Sequence, residues 1–383
     1  MSRHHFYFVL ILLLLSAATA GIGCDDLEEQ EEETDIGDGD EAEYPFYLVI
    51  GGGLSETLSV LRIEEGPSFE LFNDVVLTGS AINQTLWHDD SFYAVCSLSH
   101  SVIIYNGDLD IRREVSVGVG SNPMNAALSE DDTAWISGMV SGDVRLVDLG
   151  AGVDEDDRLL ATVEFSDDLL PHDEGTDQTW PRPNGVVLRD QWLWVVLSNL
   201  EDNWLAGGPG VLAVVDTDDE SVDGAVTLQG RDPIGVLWDE ERNLLWVVSA
   251  GDYVTGEGFA GNGLLEAVDI EEREVVQTIE VEGAPFELLI ADSSLGYLVN
   301  GQDGRLLVVD LDEGEQLDSI DLRDDDDTYG LSFISALAVD PEGLLYVAEF
   351  NNDKLFVIDP AQNHDVIAEF VVNDGPDTLT FIP

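Results

Sequence analysis

A strand-sized phrase recurs along this chain, and its recurrence constrains the possible folds more than any other feature. Trp135-Ile136-Ser137-Gly138 is followed by Val144-Arg145-Leu146-Val147-Asp148, and Trp246-Val247-Val248-Ser249 by Glu266-Ala267-Val268-Asp269. Tyr346-Val347-Ala348-Glu349 precedes Leu355-Phe356-Val357-Ile358-Asp359 in the same way. Each copy is an aromatic-led apolar strand, a polar break, a second apolar strand and an Asp. Units of this size bury their apolar faces only against neighbouring copies, so they build arrays or propellers.

Aligned on their first strands, the units open at Ile82, Pro123, Pro183, Pro233, Pro285, Ile334 and Pro376. Strand pairs, apolar but for Thr380, then fall at the same two offsets: Leu86-Trp87, Ala127-Leu128, Val187-Leu188, Leu237-Trp238, Leu289-Ile290, Ala338-Val339 and Thr380-Phe381. The spacing of 41 to 60 residues suits four-stranded blades. At the N-terminal end Phe46–Ile50, Thr57–Ile63 and Phe69–Leu77 supply three strands without an opening one. Gly375–Pro383 supplies an opening strand with nothing after it. The simplest resolution is a ring closed by the C-terminal strand completing the first blade, which removes free sheet edges. No apolar 3.6-residue periodicity persists outside the N-terminus, so no helix is expected.

At these residues the chain resembles the YVTN/YncE-like β-propeller family. Residues Tyr346 to Asp359 look like that family's tyrosine-valine strand, asparagine-rich turn and valine-isoleucine-aspartate strand. Val339-Asp340-Pro341-Glu342-Gly343 looks like its proline-glycine turn. Paired glycine-histidine and tryptophan-aspartate signatures of WD40 repeats are not seen. The expectation is an all-β, seven-bladed propeller of four-stranded antiparallel blades over residues 45–383, preceded by a signal peptide (1–23) and a lipidated Cys with an acidic tether (24–44).

That N-terminal reading rests on Arg3, His4 and His5, the apolar run Phe6–Leu15, and the small residues that follow. The run is too short to span a bilayer as a mature helix. Gly21-Ile22-Gly23-Cys24 resembles the lipobox of bacterial lipoproteins, with Gly21 where that family has Leu; Ala18-Thr19-Ala20 offers an alternative cleavage that would release a soluble protein. Residues 25–43 hold 12 acids and no base, a density that repels itself and buries no core. Past the tether, 68 acids face 13 bases. Such a surface excludes nucleic acid and anionic membrane as partners, and its self-repulsion points to a salty habitat. Cys96, inside an apolar strand, reads as a small buried hydrophobe.

The repeated Asp148, Asp216, Asp269, Asp310 and Asp359 end third strands and are expected to cap turns through their own backbone. Loop lengths are more informative. The insertions Ser166–Pro181, Asn199–Gly210, Gly251–Gly263 and Asp321–Leu331 all enter first strands or join second to third strands, which places them on one propeller face. They carry His172, Asp173, Trp180, Trp204 and Tyr253, a mixture that suits a sugar, peptide or cation or simply packs the loops down. Residues just after the openings, Asn83, Asn184, Ser335 and Asp377, with Glu287 one step further, should approach the channel mouth. They would either hold Ca²⁺, at Asn184, Glu287 and Asp377, or line a wet channel. Asp324–Asp327 lacks the spacing of a calcium-binding helix-loop motif.

No glycine-flanked nucleophile, zinc-binding His pair or phosphate-cradling loop stands out. The expectation is therefore a monomeric binding or scaffolding module, lipid-anchored in a bacterial envelope on the periplasmic side or the cell surface. Its partner would be a protein, peptide or carbohydrate, and membrane contact would come through the lipid alone. The alternatives are a Ca²⁺-dependent hydrolase or lyase like the propeller lactonases and, more distantly, a quinoprotein-like redox role.

Overall fold

The computed structural model describes residues 45–65, 68–129, 131–176, 178–301, 303–323 and 332–382. The signal segment, Cys24, the acidic tether and Asp324–Asp327 lie outside the described residues.

Seven four-stranded antiparallel sheets follow one another around a ring. Blades 2 to 7 begin with Ile82–His88, Pro123–Leu128, Pro183–Arg189, Pro233–Asp239, Pro285–Ile290 and Ile334–Val339. Blade 1 joins Phe46–Gly52, Thr57–Glu64 and Ser68–Leu77 to the C-terminal strand Pro376–Ile382. All seven openings inferred from the sequence are the first residues of these strands, and these strands neighbour one another around the central channel. The closure runs in register from Tyr47 opposite Ile382 to Gly51 opposite Thr378. The described residues contain no α-helix, only three short 3₁₀ turns.

The second strand of each blade is buried along most of its length; Ser91–Cys96 and Leu345–Glu349 are buried throughout. The fourth strands alternate, as in Ser221–Thr227, where inward residues pack and outward ones meet water. Seven apolar clusters fill the seven seams between blades. Leu48 and Ile50 of blade 1 meet Tyr346 and Val357 of blade 7, and Trp194 of blade 4 meets Leu245 and Val247 of blade 5. Burying one such side chain contributes roughly 1.5–3 kcal/mol, so the ring is held between blades as much as within them.

Every inner strand carries a bulge just after its opening. The ladder skips Asn83 in blade 2, Met124 and Asn125 in blade 3, Asn184 and Gly185 in blade 4, and Ile234 in blade 5. It skips Phe286 and Glu287 in blade 6, Ser335 in blade 7 and Asp377 in blade 1. A bulge bends a strand and re-aims the unpaired side chain. Ahead of five openings, at Ala81, Asn122, Arg182, Asp232 and Gly375, the backbone is left-handed and turns the chain sharply into the inner strand.

The five repeated aspartates cap turns. Asp148, Asp216, Asp269, Asp310 and Asp359 each accept a hydrogen bond from the backbone N–H two residues on, at 2.7 to 2.9 Å. Cys96 is fully buried with its sulfur 3.7 Å from the Thr78 hydroxyl.

Candidate functional site at the long-loop face

Arg231 ties the long loops together. Its guanidinium bonds Asp173 at 2.7 Å from the loop entering blade 4, and Asp252 at 2.5 Å from the blade 5 insertion. It also donates to the Ala206 carbonyl of the blade 4 insertion at 2.9 Å. Burial disfavours its charge, but the two carboxylates more than offset this and hold its pKa above the usual range. One residue from each of three insertions is thus fixed to a single cation.

The aromatic residues expected there have different fates. The Trp204 ring lies under the Arg182 guanidinium, 4.1 Å from centroid to carbon, so this face of its indole is covered. Trp180 stays 39% exposed and donates its indole N–H to Asp202 at 2.6 Å, leaving its ring open to a visitor. His172 is exposed, with Nδ1 3.4 Å from the Thr179 hydroxyl. Tyr253 sits on a small hairpin, Tyr253–Val254 with Gly258–Phe259, and stacks edge-to-face on Phe259 at 5.4 Å.

That Tyr–Phe pair begins an arc that the loop argument did not foresee. Phe259 meets Phe286 at 5.8 Å, Phe286 meets Phe333 at 5.5 Å, and Phe333 meets Phe350 at 6.0 Å, each edge to face. The five rings cross blades 5, 6 and 7 and are all partly exposed. Glu349, 1% exposed, holds the segments that carry two of them, Phe333 and Phe350. Its carboxylate accepts from Phe333 N at 3.1 Å, Ser332 Oγ at 3.2 Å and Asn352 N at 2.7 Å, and Phe350 N donates to Phe333 O at 2.8 Å. Burial raises the Glu349 pKa despite these donors. Glycines set the rings' spacing: a Cβ on Gly301 would stand 2.3 Å from Phe286 and 2.6 Å from Phe333.

The channel-mouth residues fall into two groups. Asn83 donates to the Pro123 carbonyl at 2.9 Å and Ser335 to the Pro376 carbonyl at 2.6 Å, so both lace one inner strand to the next. Asn184 is buried on blade 4, with Gly185 packed against blade 5. Glu287 and Asp377 are the two carboxylates among the bulge residues. Glu287 remains accessible to water inside the channel, yet protein rings it on all sides. That confinement, eased by a 3.3 Å bond from Leu337 N and reinforced by the charge of Asp377, pushes its carboxyl up to about 7. Confinement does the same to Asp377. A third carboxyl, Asp232 at the entrance to blade 5, is also pushed up to about 7, with Asp252 adding to the effect. The neighbouring Ser198 hydroxyl gives its proton to the Pro233 carbonyl at 2.7 Å, which limits what it can offer Asp232.

Among the described residues no three His, Cys, Asp or Glu side chains gather as a metal cluster. The structure thus places Trp180, Asp173 and Tyr253 on one built-up face. Glu287 and Asp377 sense one another at the channel, with Asn184 on a separate blade. The phenylalanines were missed although Phe286 and Phe333 each lie one residue from an opening, a position the repeat alignment could have flagged.

No family model matches this chain, and no curated protein matches it. Solved structures do. A candidate 6-phosphogluconolactonase from Bacteroides uniformis superposes with a TM-score of 0.65 at 12% identity, covering 88% of this chain and 99% of that one. Its counterpart from Bacteroides fragilis gives 0.63 at 13% identity, covering 90% and 100%. Apo AztD from Citrobacter koseri gives 0.54 at 15% identity, covering 88% and 98%. At such identities the likeness speaks to architecture alone, and together with the seven closed blades it identifies the chain as a seven-bladed β-propeller.

Proposed function

We propose that this chain is a YVTN/YncE-like propeller, exported and lipid-anchored through Cys24, that binds a protein, peptide or carbohydrate partner in the cell envelope on its long-loop face. The observation that carries the reading is the Arg231 knot. Three long insertions are held rigid by one buried-stem cation, while Trp180 beside them stays exposed. Ordered loops with an accessible aromatic on a stiff scaffold are the usual construction of a recognition surface. The apolar run before Cys24 and the acidic stretch after it support the anchor and tether. Replacing Cys24 by Ala is expected to move the protein from the membrane pellet to the soluble fraction. Immobilised propeller should capture an envelope component that Trp180→Ala, Trp204→Ala and Tyr253→Ala together fail to capture; equal capture by this variant refutes the assignment of the face.

A second reading, a Ca²⁺-dependent hydrolase or lyase, draws on Glu287 and Asp377. Two confined carboxyls poised near neutrality suit acid–base work, and Asn184 would have to complete the ion's oxygen shell. Calorimetric titration of chelator-treated protein with Ca²⁺ decides it: no heat of binding removes this reading.

A further inference from the structure

The aromatic arc and the two bulge carboxylates occupy the same sector of the channel mouth, and two kinds of contact tie them together. Phe286 and Glu287 share one bulge on blade 6. A Cβ on Gly53 would lie 3.3 Å from Asp377 Oδ2 and 3.3 Å from Phe350 Cε2, so carboxylate and ring flank a single small gap. Between them Ser335 of blade 7 donates to the backbone of Pro376, which holds Asp377's strand against its neighbour. The arc spans blades 5 to 7 and the acids lie on blades 6 and 1.

The bases nearest to Glu287 and Asp377 in sequence are paired elsewhere. Arg273 pairs with Asp223, Arg305 with Asp303 and Glu282, and Lys354 with Glu369. The electrostatic influences on Glu287 and Asp377 include no cationic side chain. The mouth therefore combines partly exposed aromatic rings with two carboxyls that, among the described residues, feel no cationic side chain. An anion would be repelled, and a neutral apolar ligand would leave the carboxylates uncompensated. A methylated ammonium satisfies both features, since its diffuse charge sits against ring faces and needs no hydrogen-bond acceptors.

We infer that the channel mouth bounded by Phe286, Phe333, Phe350, Glu287 and Asp377 is a binding site for a small organic cation of the quaternary or methylated ammonium class. This deepens the reading of the long-loop face as a recognition surface and rests on it. The fixed hydrogen bonds of Glu349 and the glycine spacers keep the rings in place before a ligand arrives, which lowers the ordering cost of binding.

The test uses the intact chain with choline as probe and 3,3-dimethylbutan-1-ol, its neutral carbon isostere, as comparison, read by calorimetry and saturation-transfer NMR. Choline is expected to bind saturably and at least tenfold more tightly than the isostere. Glu287→Gln and Asp377→Asn should each weaken choline about tenfold. Phe350→Leu, which keeps the bulk of the ring's packing, should weaken it about threefold, the scale of one cation–π contact. Trp180→Ala, on the same face outside the arc, should leave choline binding unchanged. Choline binding no tighter than the isostere, or choline affinity unaltered by both carboxylate variants, overturns the inference. If choline fails while the combined Trp180→Ala, Trp204→Ala, Tyr253→Ala variant still loses envelope capture, the cation site falls and the face stands; if choline binds and capture is indifferent to that variant, the reverse holds.

Discussion

Removing the last strand offers the most direct test of the closed ring. A chain ending at Asp374 loses the inner strand of blade 1 and every backbone pairing from Tyr47–Ile382 to Gly52–Pro376. It also loses Leu379 and Phe381 from the cluster around Leu48 and Tyr346, and Ile382 from the cluster around Val49 and Ile82. Phe381 packs edge to face on Tyr346 at 5.4 Å, and Thr380 bonds Thr85 of blade 2 at 2.7 Å. Three apolar side chains at roughly 1.5–3 kcal/mol each give about 5–9 kcal/mol before the ladder is considered. Whole domains are stable by about 5–15 kcal/mol, so the shortened chain should be unfolded or open at room temperature. Urea unfolding followed by tryptophan fluorescence and circular dichroism measures this. The single substitution Ile382→Ala grades it, with an expected loss of about 2–4 kcal/mol. A shortened chain that unfolds cooperatively, with an unchanged midpoint and slope, would refute the argument that this strand latches the ring.

Three further expectations follow from charge and burial. Because confinement raises Asp232, Glu287 and Asp377 to about 7 in the folded state, the native protein binds more protons than the unfolded chain between about pH 4 and 7. Stability should thus be fully present at the acid end of that window and fall as pH rises through 7. The Glu287→Gln, Asp377→Asn double variant should flatten the fall in urea midpoint between pH 5 and pH 8, and parallel curves would count against it. With a formal charge of −66, the urea midpoint should rise from low to molar NaCl as self-repulsion is screened; an unchanged midpoint contradicts this. Cys96, buried and with its thiol pushed up to about 11 by that burial, should ignore a thiol reagent in the native protein and react only after unfolding; native labelling at the unfolded rate would show the strand to be open.

The ring was legible because its signal is repeated. A proline or isoleucine opening followed by apolar residues at fixed offsets occurs seven times, so chance matches are filtered by the alignment itself. The turn role of Asp310 and its counterparts was legible for the same reason, since its partner is two residues away. The site was only half legible. Glu287 and Asp377 stood out because each lies within two residues of an opening, but what acts on them comes from other blades. The confinement that raises Asp232 was invisible, as nothing in the residues beside Pro233 records what surrounds them. The aromatic arc joins Phe259, Phe286, Phe333 and Phe350 from second-to-third-strand loops, an inner strand and an entry loop. Only the closed ring brings these together. Trp204, conspicuous in sequence, is covered on one face by Arg182, a contact that depends on two different loops meeting.

The unpaired residue at the head of every inner strand gives the channel rim an unusual freedom. A side chain outside the ladder can be exchanged without disturbing the pairing of its blade, so chemistry at the rim and integrity of the wheel are separable traits. Seven such bulges, one on each blade, form a combinatorial set. Exchanging Ile234, which the blade 5 ladder skips, would re-tool the rim for another visitor and leave that ladder paired.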